Sequence, residues 1–256
     1  MPTIQVPAID IVDNYPLTGK PALIVVDMLN DFVHPDGSLF VKEAPQTIKP
    51  IEELIRKVNQ WEAPVFFVND CHGDEDEEFK IWPKHAIEGT WGAKVIEPLE
   101  PRFGGTVITK MRYDPFYGTS LDHQLRIKGV DTLIIVGTVA NICVLATAHS
   151  AALRWYNVVV PVDCISALED FGYWTAAYQI SRLYQGALVT TAQGIKKPTW
   201  SIEKAPGVDG KWYIFKAEWG STRYLGQNGE VYTSAAYYPT KEAAKAVWDK
   251  HWHLPD

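Results

Sequence analysis

Apolar residues along the first two hundred positions fall into short unbroken runs separated by longer segments of helical period. The runs are Ala22–Asp27, Val65–Asn69, Thr106–Thr109, Thr132–Gly137, Asn157–Val162 and Ala187–Thr190. Each is too short for a helix, rich in β-branched residues and apolar at successive positions, as strands covered on both faces must be. Ile48–Trp61, Ser120–Lys128, Ile142–Tyr156 and Trp174–Gln185 carry the helical pattern between them. Strand–helix alternation of this kind predicts an α/β fold, a three-layer αβα arrangement around a mostly parallel six-stranded sheet. In such a sheet, chemistry belongs at the carboxyl ends of the strands, where loops and helix N-termini converge.

The pattern changes near Lys204-Ala205-Pro206-Gly207, where Pro and Gly punctuate the chain. We therefore expect a large domain over residues 1–204 and a small C-terminal α+β module over 205–256. Within that module Lys211–Trp219 alternates as a strand, and Arg223–Ser234 contains Gln227-Asn228-Gly229-Glu230, a hairpin signal. Thr240 is placed to cap a helix with Ala244, Val247, Trp248 and Trp252 on one face, so three strands and one helix are expected. The net charge of −7 lies entirely in the first 204 residues, because the tail holds six basic and six acidic side chains. The tail also holds ten of the 31 aromatics, which are expected to form its own core, with mating of copies in a homo-oligomer or binding of a polymer as the alternatives.

Composition narrows the function classes. With 46% hydrophobic and 21% charged residues the chain is globular rather than disordered, and no apolar run approaches the length of a membrane span. The N-terminus lacks the basic and apolar regions of a secretion signal. Three widely spaced cysteines argue against a disulfide framework and for a reducing cytoplasm. A negative net charge argues against nucleic acid, which leaves a small molecule as the expected partner.

The strand ends carry the candidate chemistry. Asp27 ends the first run, Lys110 follows the third, and Cys143 follows the fourth at the start of a helix. Taken singly, Asp27 reads as a turn residue, Lys110 as a solvated strand end and Cys143 as an inert buried thiol. Together they form a nucleophilic site, because a thiol attacks only as thiolate and needs a base and a nearby cation.

Several stretches resemble the isochorismatase-like cysteine hydrolase superfamily, and within it the nicotinamidase/pyrazinamidase branch, over roughly residues 20–192. They are Val26-Asp27-Met28-Leu29-Asn30-Asp31-Phe32 with Gly37-Ser38-Leu39, Lys110-Met111-Arg112-Tyr113-Asp114-Pro115-Phe116, and the GTVANICVLATA segment around Cys143. The resemblance implies catalytic roles for Asp27, Lys110 and Cys143, and the Cys points to amide hydrolysis rather than isochorismate cleavage. Asn69-Asp70-Cys71-His72 and Ile81-Trp82-Pro83-Lys84-His85 through Gly89-Thr90-Trp91-Gly92-Ala93 resemble the nicotinamidase metal segments, so Asp70, His72 and His85 would be ligands.

Here the chain departs from the commonest pattern. In place of a further His it has Asp74-Glu75-Asp76-Glu77-Glu78-Phe79, and some relatives place a Glu seven residues before the second ligand His, as Glu78 stands to His85. Glu78 is therefore the expected fourth ligand and Asp74 to Glu77 a solvated acidic loop. The implied cofactor is one divalent ion, Zn²⁺, Fe²⁺ or Mn²⁺. By the same resemblance Phe32, Trp82 and Tyr113 would pack a pyridine ring, the Thr138–Val139 peptide would be cis, and the Val139 and Cys143 N–H groups would form an oxyanion hole. Nicotinamide hydrolysis is the implied activity, with a metal-independent carboxamide or ureide hydrolase of the same superfamily as the alternative. Cys71, Cys164, His251 and His253 receive no role.

Overall fold

The computed structural model describes residues 7–17, 19–101, 104–197, 201–204, 212–218, 221–225, 231–232 and 237–251. By its internal contacts the chain divides into two units. The first comprises residues 1–15 and 20–196, the second residues 16–19 and 197–256.

The six expected strands form the large unit's sheet, all parallel, in the order Ala187–Val189, Asn157–Pro161, Thr132–Thr138, Pro21–Val26, Val65–Asp70, Thr106–Lys110. Two further strands bring the sheet to eight rather than six. Ile11–Val12 adds beside Ala187–Val189, and Ile165–Ser166 pairs with the end of Thr132–Thr138. Each has two residues, too few to leave a hydrophobic run in the sequence. Four strands are buried along nearly their whole length, but Thr106–Lys110 alternates between buried and exposed positions because it closes one edge of the sheet.

The strand order explains where the site lies. From Pro21–Val26 the chain moves outward to Val65–Asp70 and Thr106–Lys110, whereas from Thr132–Thr138 it moves the other way. Right-handed crossovers running in opposite directions put helices on both faces of the sheet and leave a crevice where the direction reverses. That crevice lies at the carboxyl ends of the adjacent strands Pro21–Val26 and Thr132–Thr138. The two strands run so close there that a Cβ on Gly137, at φ +117°, would meet the Val26 carbonyl oxygen at 2.0 Å. Only glycine fits.

The helices Ala44–Gln60, Leu121–Ile127 and Asp170–Arg182 match expected helical segments within a few residues. The fourth does not run evenly. Ala140–Val144 forms a wide π-helical turn, with the Val144 N–H donating to the Val139 carbonyl at 3.2 Å, before the regular helix Leu145–Leu153. A single π turn at a helix start is a frequent device for re-aiming side chains at functional sites.

In the small unit Ser201–Lys204, Trp212–Glu218, Ser221–Leu225 and Val231–Tyr232 form an antiparallel sheet of four strands rather than three. Ser201–Lys204 is the extra strand, and by pairing with Trp212–Glu218 it puts the boundary at Lys196/Lys197 rather than at 204/205. The Pro-Gly punctuation itself lies outside the described residues. The helix Lys241–His251 begins as expected, with the Thr240 hydroxyl accepting from the Ala243 N–H at 3.1 Å. The Asn228-Gly229 hairpin signal lies outside the described residues, as do Trp252 and His253.

Candidate active site

Three sheet strands deliver Asp27, Asp70 and Lys110 to one end of the sheet. Asp27 follows Pro21–Val26 in the left-handed region, at φ +50°, which Asp tolerates better than most residues. Its backbone N–H donates to the Val68 carbonyl at 3.1 Å. Its carboxylate accepts from the Asp70 N–H at 2.7 Å through Oδ1 and from Lys110 Nζ at 2.7 Å through Oδ2. Lys110 Nζ also hydrogen-bonds Asp70 Oδ1, so one buried ammonium serves two buried carboxylates. The Cys143 sulfur and a carboxylate oxygen of each of Asp27 and Asp70 lie within 4.8 Å of one another. The structure thus brings the strand-end acid, ammonium and thiol together.

Their environment sets their protonation. Burial, reinforced by the Asp70 charge, outweighs Lys110 and raises Asp27 to about 6. Asp70 goes the other way. Burial would raise it, but Lys110 beside it holds it down to about 2. Lys110 is pushed well above the ordinary lysine range, because its two carboxylates outweigh its desolvation. Burial raises the Cys143 thiol well above its usual range, with Lys110 opposing. Cys143 is therefore a thiol at rest beside a carboxylate suited to take its proton near neutral pH.

A second cluster adjoins the first through Asp70. One ligating atom from each of Asp70, His72, Glu78 and His85 falls in a group spanning no more than 4.8 Å, and all four residues are buried. His72 Nδ1 faces Asp76 Oδ2 at 3.1 Å, and His85 Nδ1 faces the Pro83 carbonyl at 2.7 Å. Those contacts place the proton on Nδ1 and turn both Nε2 lone pairs inward, the arrangement that fixes a histidine for metal binding. His72 Nε2 is fully buried without a hydrogen-bond partner, its approach to Asp70 Oδ2 being 3.9 Å. His85 Nε2 stands 3.8 Å from Glu78 Oε1. Four buried donors that face one another without bonding match the demand of a divalent cation. The electrostatics agree. Burial and the Asp70 charge raise Glu78, and His72 is raised despite burial by Asp70 and Asp76, so the cluster attracts positive charge. Burial keeps His85 low and neutral.

The acidic loop corrects one expectation. Asp76 is not solvated, since its side chain is only 2% exposed. Besides orienting His72, its Oδ1 accepts the Glu78 N–H at 2.9 Å, and both oxygens receive Arg112 Nη1 at 3.0 and 3.1 Å. In sequence Asp76 is one acid among five, and only its place before the turn Glu77–Lys80 distinguishes it. Asp74, Glu75 and Glu77 are exposed as expected.

A cavity of about 260 Å³ opens onto both clusters, lined by Asp27, Cys143, Asp70, Glu78 and His85 on its polar side. Phe32, Trp82 and Tyr113 form aromatic walls, and Ser38, Leu39, Phe40 and Val41 close another side. Trp82 Nε1 donates to the Tyr113 hydroxyl at 2.9 Å, and the Phe32 ring centroid lies 5.5 Å from that of His85. Val139 lines the same cavity, and the Thr138–Val139 peptide is cis. Cys71 and Cys164 line no part of this cavity.

Known proteins share this framework. N-carbamoylsarcosine amidase from Thermoplasma acidophilum is similar in structure, with a TM-score of 0.62 and 39% identity over 66% of this chain and 95% of that one. The pyrazinamidase of Pyrococcus horikoshii in complex with zinc gives a TM-score of 0.60 and 29% identity over 70% of this chain and 98% of that one. Among curated relatives, the nicotinamidase of Saccharomyces cerevisiae is 26% identical over 191 residues, 58% of this chain and 88% of its own length. Residues 21–193 match the isochorismatase domain, and the chain belongs to the isochorismatase family.

Proposed function

We propose that this protein is a metal-dependent amidohydrolase that converts nicotinamide to nicotinate and ammonia through a Cys143 thioester. The observation that carries this reading is the shared Asp70, one oxygen on Lys110 and the other facing His72, which sets a cation site directly beside a nucleophile site. The aromatic walls suit a flat heteroaromatic ring, which offset stacking favours beyond area burial alone. The similarity to a zinc-bound pyrazinamidase supports the same reading.

The chain's own residues perform the chemistry. Phe32, Trp82 and Tyr113 hold the ring so that the carboxamide carbon faces Cys143. Asp27, held ionised until then by Lys110, accepts the thiol proton as sulfur attacks and becomes neutral, while the Lys110 ammonium favours the negative charge developing on sulfur. The Val139 and Cys143 N–H groups receive the developing oxyanion. Asp27 then returns its proton to the departing ammonia, and afterwards activates the water that cleaves the thioester. Asp70, His72, Glu78 and His85 would hold a divalent ion, which would supply Lewis-acid chemistry beside the bound ring.

No helix among the described residues is long and apolar enough to cross a membrane. A cytoplasmic setting keeps Cys143 reduced and belongs to this proposal.

A second reading, a ureide or carboxamide hydrolase working without a bound ion, draws on the 39% identity to N-carbamoylsarcosine amidase. One experiment separates the two. Ammonia release is measured on nicotinamide, pyrazinamide, N-carbamoyl compounds and ureides, and bound metal is assayed on the same sample. Turnover of a carbamoyl compound by metal-free protein, with none on nicotinamide, would overturn the proposal.

A further inference from the structure

Asp31 lies outside both clusters, yet three segments of the site meet on it. Its Oδ2 accepts the Ala86 N–H at 2.8 Å and its Oδ1 accepts the Ser38 N–H at 3.1 Å. Its own N–H donates to the Gly92 carbonyl at 3.0 Å, and its carbonyl accepts from the Leu39 N–H at 3.0 Å. Phe32 is its neighbour in the short helix Asn30–Val33. One residue therefore ties the aromatic wall, the Ser38–Val41 wall and the His85 loop.

The tie to Ala86 matters most. Ala86 is fully buried and adopts φ +46°, a left-handed conformation that alanine adopts only when its surroundings enforce it. Two hydrogen bonds hold it there. Its N–H goes to the Asp31 carboxylate, and its carbonyl receives the His72 N–H at 2.9 Å. The peptide unit on one side of Ala86 carries His85, and that on the other side is bound to His72, so this conformation sets the distance between the two rings, whose centroids lie 4.8 Å apart. Gly92 completes the device. A Cβ there would stand 2.0 Å from Asp31 Oδ2, so the carboxylate occupies the space that glycine leaves.

We propose that Asp31 is a positioning residue whose carboxylate holds the His85 loop and the Ser38–Val41 wall in register, so that metal retention and substrate fit depend on it together. The inference rests on the reading of Asp70, His72, Glu78 and His85 as a cation site. Asn at this position keeps the shape but replaces one acceptor oxygen with an amide that cannot accept from a backbone N–H.

The test uses full-length protein stripped of metal, Mn²⁺ as the titrant in calorimetry, and steady-state kinetics on nicotinamide. Asp31→Asn is expected to weaken Mn²⁺ binding by about tenfold, the low end for losing a support behind a ligand, and to raise KM more than it lowers kcat. Gly92→Ala pushes the carboxylate off Ala86 without altering it and should reproduce both effects. In the Asp31→Ala background Gly92→Ala should add nothing further, because the clash has gone. Wild-type Mn²⁺ affinity in folded Asp31→Asn protein, or an undiminished Gly92→Ala effect in that background, overturns the proposal. If the unaltered protein binds Mn²⁺ but leaves nicotinamide intact, the substrate reading fails and Asp31 is judged on Mn²⁺ affinity alone. Failure of the unaltered protein to bind Mn²⁺ overturns both.

Discussion

The two halves of the candidate site are built differently. Asp27 and Lys110 are fixed by strands of the central sheet, and Cys143 by the turn that follows a third strand. Their geometry follows from backbone pairing such as Val26 opposite Gly137 and Asp70 opposite Lys110. The cation half takes only Asp70 from a strand. His72, Glu78 and His85 come from the stretch after it, where single side chains such as Asp76 and Asp31 supplement one isolated backbone bridge between His72 and Ile87. A nucleophile half held by the sheet should tolerate changes around it and fail only when its own groups are removed. A cation half held by side chains should respond in steps, as each support is taken away.

The sharpest break in that comparison is Cys143→Ala. Removing the nucleophile should lower amide hydrolysis by at least about 10³-fold, while metal content measured by plasma emission stays at the level of the unaltered protein. Residual activity of more than a few per cent would remove the covalent mechanism, and loss of metal would show that the two halves are not separable.

Next comes the acidic loop. Glu78→Ala removes a buried carboxylate aimed at His85 and should strip most of the bound metal after dialysis. Glu75→Ala and Glu77→Ala remove exposed charges, which salt screens over about 8 Å, and should retain it. Equal metal content in all three variants would return Glu78 to a purely structural place. A smaller effect is expected for Asp76→Asn, since the amide can still accept one bond but no longer carries the charge that Arg112 and His72 share. Metal affinity should fall by about tenfold with the fold intact, and an unchanged affinity would make the His72 contact incidental.

The same contrast explains what was legible in the sequence. Buried strands announce themselves as apolar runs, so the sheet and the residues ending its strands, Asp27 and Lys110, could be read directly. Cys143 was legible as a residue, but the wide turn at Ala140–Val144 was not, because nothing in its apolar side chains separates a π turn from a regular one. The segments proposed to hold the metal were recognisable only through resemblance, since one Asp at a strand end and two His in loops carry no period. Asp76 was hidden among like charges, and its burial depends on Arg112, 36 residues further on. The two-residue strands Ile11–Val12 and Ile165–Ser166 and the pairing of Ser201–Lys204 with Trp212–Glu218 are tertiary choices that no local pattern encodes.

The smallest expected effect concerns the small unit. Every residue proposed for catalysis, metal binding or ring packing lies between Asp27 and Cys143, inside the family match that ends at residue 193. The small unit has its own four-stranded sheet and capped helix, with Tyr238 and Ala244 buried and Lys241 Nζ 5.7 Å from the Trp212 ring centroid. A cut at Ala205 would divide that sheet, because Ser201–Lys204 would be left without Trp212–Glu218. A chain ending at Lys196 respects the boundary and is expected to fold and keep most of its turnover on nicotinamide. Steady-state kinetics with light scattering check this. A soluble but inactive product would make the small unit part of the catalytic apparatus. An active product with a changed oligomeric state would assign it to assembly.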